Sequence, residues 1–149
     1  MDSIVVFRLA AQKYGVPIET VREIIPCSDI TPAPGTPSFF EGFLNVRGEL
    51  ISVTNLNRFI GISEPVDPKT ARILILTTAE GVSRGVLTDD VTSIASFSPE
   101  DLQPVKDGKN RAGFSRELLK GVADTGQELV VILDVEKLLS GDQTEEESS

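Results

Sequence analysis

The sequence predicts an all-β fold, a small barrel or sandwich of about nine or ten short strands. Short runs of β-branched and large apolar residues recur at regular spacing along the 149 residues. Turn residues separate these runs, and the helical patterns between them cover only a turn or two. The length suits one cooperative unit with a core, or two small subdomains that share one.

The chain begins with a predicted hairpin formed by Ser3–Ala10 and Lys13–Ile18. One helical turn and then extended chain are expected over Glu19–Ile25. Prolines punctuate the next dozen residues and predict an ordered surface loop, because proline lacks the backbone donor that a central strand needs. These prolines are Pro26, Pro32, Pro34 and Pro37. The loop is expected to lead into a short helical turn at Ser38–Gly42.

A second hairpin is predicted where two apolar runs flank one charged turn. Phe43–Val46 and Leu50–Val53 are the strands, and Arg47-Gly48-Glu49 is the turn. Gly48 can supply the positive φ that such a turn requires. The turn therefore holds Arg47 at a defined position on the hairpin.

The second half of the chain repeats this style of structure. A helical turn at Leu56–Ile60 should stop at Gly61, and an exposed loop should follow. A hairpin is then predicted, with Ala71–Thr78 as a buried inner strand and Val82–Thr88 as an alternating outer strand. A strand at Val91–Phe97, a capped turn at Ser98–Leu102 and a polar loop at Lys106–Arg111 should follow. The last predicted elements are a hairpin of Leu118–Asp124 with Glu128–Leu133 and a helix at Val135–Leu139, capped by Asp134 and closed by Gly141.

Composition excludes several kinds of function. The chain has no histidine, which removes His-based catalysis, phosphohistidine and imidazole metal ligands. A net charge of −9 argues against nucleic acid as a partner. A single cysteine, Cys27, cannot form a disulfide within the chain, which fits a reducing compartment, and it excludes a metal cluster held by several cysteines. We expect no cofactor, no membrane span, a cytoplasmic location, and a disordered acidic tail at residues 141–149.

Four short patterns carry a family resemblance. They are V-x-E-I at Val21–Ile24, P-x-F-x-x-G at Pro37–Gly42, N-x-R-G at Asn45–Gly48 and V-x-N-L at Val53–Leu56. In this order they resemble the CheW family, the adaptors of bacterial chemosensory arrays, from about Ser3 to Leu139. The resemblance implies two interleaved five-stranded, SH3-like barrels that share one apolar core within a CheW-like domain at residues 1–140, with short helical turns and a C-terminal helix.

The resemblance also implies a function and its residues. The chain would be a non-enzymatic scaffold of two-component signal transduction that couples chemoreceptors to a CheA-type histidine kinase in membrane-associated arrays. Receptor contacts carried over from the family are Val21, Glu23, Ile24 and Arg47, with Val91 and Ile94 as the matching pair of the second barrel. Contacts to the regulatory domain of the kinase are Ile30, Thr31 and Phe39.

Other interpretations of the same residues remain open. Arg47 alone could pair with Glu49 or another local carboxylate. Glu23 and Asp89 could serve a minor enzyme or a small-molecule-binding barrel, and an edge strand could pair with its own copy.

Two further features of the sequence concern acids and departures from the family. Asp89, Asp90, Asp124 and Asp134 are better explained as turn and cap residues than as metal ligands. Ser52 and Asn55 depart from the proline and aspartate common in the family, although Asn55 can still cap a helical turn.

Overall fold

The structure is a computed structural model, and it describes residues 1–27, 29–105 and 114–140. These residues form ten β-strands, which confirms the all-β fold predicted from the sequence. The strands are β1 (Asp2–Leu9), β2 (Gln12–Pro17), β3 (Val21–Pro26), β4 (Phe40–Val46), β5 (Glu49–Asn55), β6 (Arg72–Thr77), β7 (Ser83–Thr88), β8 (Asp90–Phe97), β9 (Leu119–Asp124) and β10 (Leu129–Leu133). Helix α1 (Leu56–Phe59) follows β5, and helix α2 covers residues 135–140. The predicted polar loop at 106–111, the acidic tail and Gly141 lie outside the described residues.

The strands form two five-stranded sheets that exchange hairpins. Barrel A has the strand order β8-β1-β2-β10-β9, and barrel B has the order β3-β6-β7-β5-β4. Each half of the chain therefore donates its first hairpin to one barrel and its next three strands to the other. Parallel pairing of β2 with β10 and of β5 with β7 joins the two halves. Neither barrel is complete without both halves, so the barrels depend on each other for folding.

One β-bridge joins the two ends of each sheet and closes it into a barrel. The bridges pair Thr31 with Phe43 in barrel B and Gln103 with Val122 in barrel A. A glycine with positive φ lies beside each bridge, Gly42 at φ +135° and Gly121 at φ +151°. A Cβ at Gly121 would lie 2.5 Å from the Gln103 carbonyl oxygen, and a Cβ at Gly42 would contact the Thr31 carbonyl oxygen even more closely. Only glycine lets the backbones approach this closely.

The core lies between the barrels as well as inside them. Alternation along the strands sends apolar side chains to both faces of each sheet, so strands such as β1 and β6 are buried on both sides. A shared cluster between the barrels includes Val5, Phe7, Tyr14 and Val16 from barrel A and Leu74, Leu76 and Val86 from barrel B. The interior of barrel A includes Ile4, Val6 and Val130, and that of barrel B includes Ile51, Ile73 and Ile75. The expected shared core is thus present, and each barrel adds an interior of its own.

Three local predictions differ from the structure. The helical turn expected at Ser38–Gly42 is present only at Ser38 and Phe39, where the Phe40 N–H donates to the Pro37 carbonyl at 3.0 Å. From Phe40 on the prediction is wrong, since β4 begins there and pairs with β5 through a bulge between Phe40 and Gly42. The outer-strand alternation expected in Val82–Thr88 is also wrong, because β7 is the central strand of barrel B and its last four residues are all buried. The turn after β8 is a short 3-10 helix, Pro99–Asp101, and the Ser98 side chain makes no capping hydrogen bond.

Candidate functional site

The β4–β5 turn has the tight geometry that its sequence predicts. Arg47 and Gly48 both have positive φ, 53° and 86°, as in the turns that suit two-residue hairpins. The Asn45 side-chain oxygen accepts a hydrogen bond from the Gly48 backbone N–H at 3.0 Å and stabilises the turn. Positive φ is uncommon for arginine, so the strain at Arg47 is a feature that the sequence did not signal.

The Arg47 side chain leaves the turn and reaches strand β3. Its Nε donates to Glu23 Oε2 at 3.1 Å and its Nη2 donates to Glu23 Oε1 at 3.3 Å. The hydrogen bond from Arg47 holds the pKa of the Glu23 carboxyl below its ordinary value of 4.5, and the same bond raises the pKa of Arg47. The Arg47 side chain is still 76% exposed. The pair therefore fixes the direction of a guanidinium that solvent or a partner can reach.

A second ion pair ties the same turn to the same strand. Arg22 Nη1 donates to Glu49 Oε1 at 2.9 Å and to the Ser83 hydroxyl at 3.2 Å. Glu49 is thus the partner of Arg22, and the suggested pairing of Arg47 with Glu49 is wrong. The carboxylate that pairs with Arg47 is Glu23, which is 24 residues away in the chain and is not a local partner.

Four aliphatic residues line the junction of the two barrels. Val21 and Val91 are half-buried against the shared cluster, whereas Ile24 and Ile94 are 40% and 63% exposed. On β3, Val21 and Ile24 stand opposite two members of the shared cluster on β6. Val91 and Ile94 on β8 stand opposite two other members on β1. Because β3 and β8 are the corresponding edge strands of the two barrels, each barrel presents an apolar rim beside the common core.

The three residues predicted to face the kinase lie in different environments. Thr31 is exposed and exchanges two backbone hydrogen bonds with Phe43, both at 2.8 Å. Ile30 is half-buried against the interior cluster of barrel B. Phe39 packs edge to face on Phe59 with ring centroids 5.2 Å apart. Of the three, Thr31 is the one whose side chain is most open to a partner.

An aromatic row that the sequence analysis did not identify connects Phe39 to the core. Phe59 lies 6.1 Å from Phe114, Phe114 lies 5.4 Å from Tyr14, and Tyr14 lies 6.0 Å from Phe7, measured between ring centroids. Phe114 is fully buried, yet it follows a stretch with no strand pattern, so nothing in the local sequence marked it. Burial raises the pKa of Tyr14 to about 12.

Of the four aspartates predicted to be turn and cap residues, Asp89, Asp124 and Asp134 bond to turns or caps, and Asp90 begins β8. Asp89 Oδ2 accepts hydrogen bonds from the Ala10 N–H at 2.7 Å and from Asn57 Nδ2 at 2.8 Å, which joins the β1–β2 turn to α1. Asp124 accepts from the Gly126 N–H at 2.8 Å, and Asp134 accepts from the Lys137 N–H at 3.1 Å. Glu23 and Asp89 thus bond to separate sets of groups.

Features of other kinds of site are also missing from the described part of the chain. Within residues 1–27, 29–105 and 114–140, no three His, Cys, Asp or Glu side chains are arranged to hold a metal ion. In those ranges, too, no helix has the length and apolarity to cross a membrane. Cys27 packs against the interior cluster of barrel B, and burial raises the pKa of its thiol, which matches a packing role.

The two departures from the family pattern each have a partner. Ser52 Oγ accepts a hydrogen bond from Arg84 Nη1 at 3.1 Å. The Asn55 side-chain oxygen accepts from the Arg58 N–H at 3.2 Å and caps α1, as predicted, while its Nδ2 donates to Glu41 Oε2 at 2.9 Å. An aspartate at position 55 could not make the second of these bonds, because a carboxylate has no donor to offer.

Comparison with known proteins agrees with this architecture. A family model described as a CheW-like domain matches residues 3–143. The chain is 29% identical to the chemotaxis protein CheW of Treponema pallidum (strain Nichols) over 140 residues, which cover 92% of this chain and 81% of that protein. It is 35% identical to the protein FrzA of Myxococcus xanthus over 136 residues, which cover 89% and 82% of the two chains. The crystal structure of the scaffolding protein TtCheW from Thermoanaerobacter tengcongensis superposes with a TM-score of 0.80 at 30% identity, covering 90% of this chain and 84% of that chain.

Proposed function

This chain belongs to the CheW-like family, and we propose that it is a non-enzymatic adaptor that couples chemoreceptors to a chemotaxis-type histidine kinase. The observation that carries the proposal is the junction of the barrels, where each barrel has an apolar rim and where the strand of one rim, β3, also carries the Glu23 that orients Arg47. Such a surface can bind another protein, and it offers none of the convergent acids and bases that a catalytic pocket needs. The adaptor acts in the cytoplasm, where it associates with membrane-bound receptor arrays.

The receptor binds at the junction. An amphipathic helical hairpin tip places its apolar face against the rims formed by Val21 with Ile24 and by Val91 with Ile94. Arg47 then lies at the edge of the bound helix and donates a charge-assisted hydrogen bond to it, while Glu23 keeps the guanidinium in place. The exposure of Ile24 and Ile94 supports this assignment, because large apolar side chains gain most when a partner removes them from water.

The kinase binds at the closing bridge of barrel B. Thr31 offers an exposed side chain on a segment held by two backbone hydrogen bonds, and Ile30 anchors that segment in the barrel interior. Phe39 lies on the same connection between β3 and β4 and is fixed by Phe59. A rigid edge of this kind suits docking of another small barrel, such as one in the regulatory domain of the kinase. Individual contacts of this size are modest, and many copies in an array gain strength through multivalency.

The test is a binding titration of the purified full chain against a receptor tip hairpin and, separately, against the kinase regulatory domain from the same organism. We expect the wild type to bind both partners, and Arg47→Ala to weaken receptor binding alone. The matched control is Arg22→Ala, which removes the same charge and also an ion pair to the β4–β5 turn, but not the guanidinium beside the rims. Equal losses for both variants would assign the effect to the turn or to net charge. Wild-type protein that binds neither partner would overturn the adaptor function.

A further inference from the structure

Arg84 is a half-buried cation on β7, the central strand of barrel B, and it has no ion-pair partner among the described residues. It lies on β7 opposite Leu76 of β6, and its Nη1 donates to the Ser52 hydroxyl on β5 at 3.1 Å. Its Nε is buried and makes no hydrogen bond within the described part of the chain. The neighbouring positions on β7, Gly85 and Val86, show which way it points. Gly85 faces the barrel interior and Val86 belongs to the shared cluster, so Arg84 is on the outer face.

The described residues give the Arg84 guanidinium one hydrogen bond, and its Nε is left without one. A buried donor without an acceptor costs free energy, and the cost is greater for a charged group than for a neutral one. The Ser52 hydroxyl occupies one end of the guanidinium and limits its rotation. Because Nε is buried, a partner reaches the guanidinium through its terminal Nη1 and Nη2 groups. These two groups can give a carboxylate two parallel hydrogen bonds.

Strand pairing places Arg84 in a row that reaches the predicted kinase-binding edge. Thr31 pairs with Phe43, Phe43 with Ser52, and Ser52 lies beside Arg84. Thr31 is exposed and the other three are half-buried, so the row is open to a partner along its length. In the other direction the row meets Leu76, which is fully buried and separates Arg84 from Val21 at the receptor rim. The open surface around Arg84 is therefore continuous with the kinase edge.

We propose that Arg84, oriented by Ser52, binds a carboxylate side chain on the kinase regulatory domain and sets the specificity of this adaptor for its kinase. The inference rests on the proposed adaptor function and extends its kinase-binding edge from Thr31 to Arg84. Charge supports the choice of partner group. The Arg84 guanidinium attracts an anionic group, and it locally offsets the repulsion that the net charge of −9 exerts on an approaching acid.

The test compares the full-length wild type with Arg84→Met in titrations against the kinase regulatory domain and the receptor tip hairpin, each at low and high salt. Methionine keeps an unbranched apolar stem and removes the charge and the unsatisfied donor. We expect the Kd for the kinase domain to rise about tenfold or more, with a weaker dependence on salt, and receptor binding to stay unchanged. The Kd of Arg84→Lys for the kinase domain should lie between those of the wild type and Arg84→Met, because an ammonium keeps the charge but cannot make the bidentate contact. The matched control is Arg8→Met in barrel A, which removes a half-buried charge bonded to the Ala10 carbonyl and should bind like the wild type.

A stability measurement separates binding from a structural role. Because Arg84→Met removes a half-buried charge that has no ion pair among the described residues, its unfolding midpoint should equal or exceed that of the wild type. Lower stability, unchanged kinase affinity, or an equal loss for both partners would each overturn the assignment of Arg84. If the wild type binds the kinase domain and Arg84→Met binds it equally well, only this inference fails. If the wild type binds neither partner, the adaptor proposal fails and this one fails with it.

Discussion

Replacing Gly42 by alanine should open barrel B at its closing bridge. A Cβ at this position would lie 2.7 Å from the Thr31 carbonyl carbon and 2.9 Å from Pro32 Cα, and all of these neighbours are backbone atoms that cannot rotate away. The φ of +135° adds strain of about 1–3 kcal/mol for any residue with a side chain. Separating the backbones also breaks the two hydrogen bonds between Thr31 and Phe43, each worth about 0.5–1.5 kcal/mol. The sum is a loss of about 2–6 kcal/mol in the free energy of unfolding.

Thermal unfolding followed by circular dichroism measures this loss. A domain of this size loses roughly 2–4 °C of Tm per kcal/mol, so Gly42→Ala should lower the midpoint by on the order of 10 °C. Gly81→Ala is the matched control, since Gly81 also has a positive φ, +92°, but nothing lies within 4 Å of an added Cβ. The free energy of unfolding of Gly81→Ala should fall only by the cost of the left-handed conformation, about 1–2 kcal/mol. Equal shifts for the two variants would refute the reasoning, because the close approach to Thr31 would then contribute nothing.

Three further predictions concern side chains. Glu23→Gln should lower the free energy of unfolding at neutral pH. Because Arg47 depresses the folded-state pKa of Glu23, the difference from wild type should shrink as the pH falls below 4.5 and disappear below that lower pKa. Denaturant unfolding that shows the same difference at neutral and acid pH would contradict this. Asn55→Asp should lower the Tm by placing a carboxylate against Glu41 Oε2, and adding Glu41→Gln to that variant should restore the Tm. If Asn55→Asp alone is as stable as the wild type, the contact of the Asn55 amide with Glu41 does not stabilise the fold. Ile94→Ser should change the Tm by no more than about 1–2 °C, because the side chain is 63% exposed, and it should weaken binding of the receptor tip hairpin in the titration. A large fall in Tm would mean that Ile94 is a core residue.

Features set by neighbouring residues were predictable from the sequence. The Arg47-Gly48 turn between two apolar runs, the caps made by Asn55 and Asp134, and the stop of α1 before Gly61 all depend on contacts within about four residues. The count of strands followed from the same local patterns. For this reason the all-β fold could be predicted without knowledge of any long-range pairing.

Features set by distant parts of the chain were not predictable in this way. The helical turn expected at Ser38–Gly42 gives way to a strand at Phe40, because Phe43 and its neighbours pair with β5 and with Thr31, and that pairing outweighs the local turn signal. In the same way, β7 was expected at an edge and lies in the centre, since its parallel partner β5 comes from the other half of the chain.

The sequence alone determined most of the elements of this protein, and the family resemblance pointed to the residues of its proposed binding surface. Only the tertiary structure decided how they meet. Arg47 finds its carboxylate on β3, Phe114 completes an aromatic row in the shared cluster, and Arg84 comes to lie in a row that begins at Thr31. The physical reason is the exchange of hairpins between the two barrels. It brings together residues that are tens of positions apart, and no local period or turn signal encodes which strands will pair.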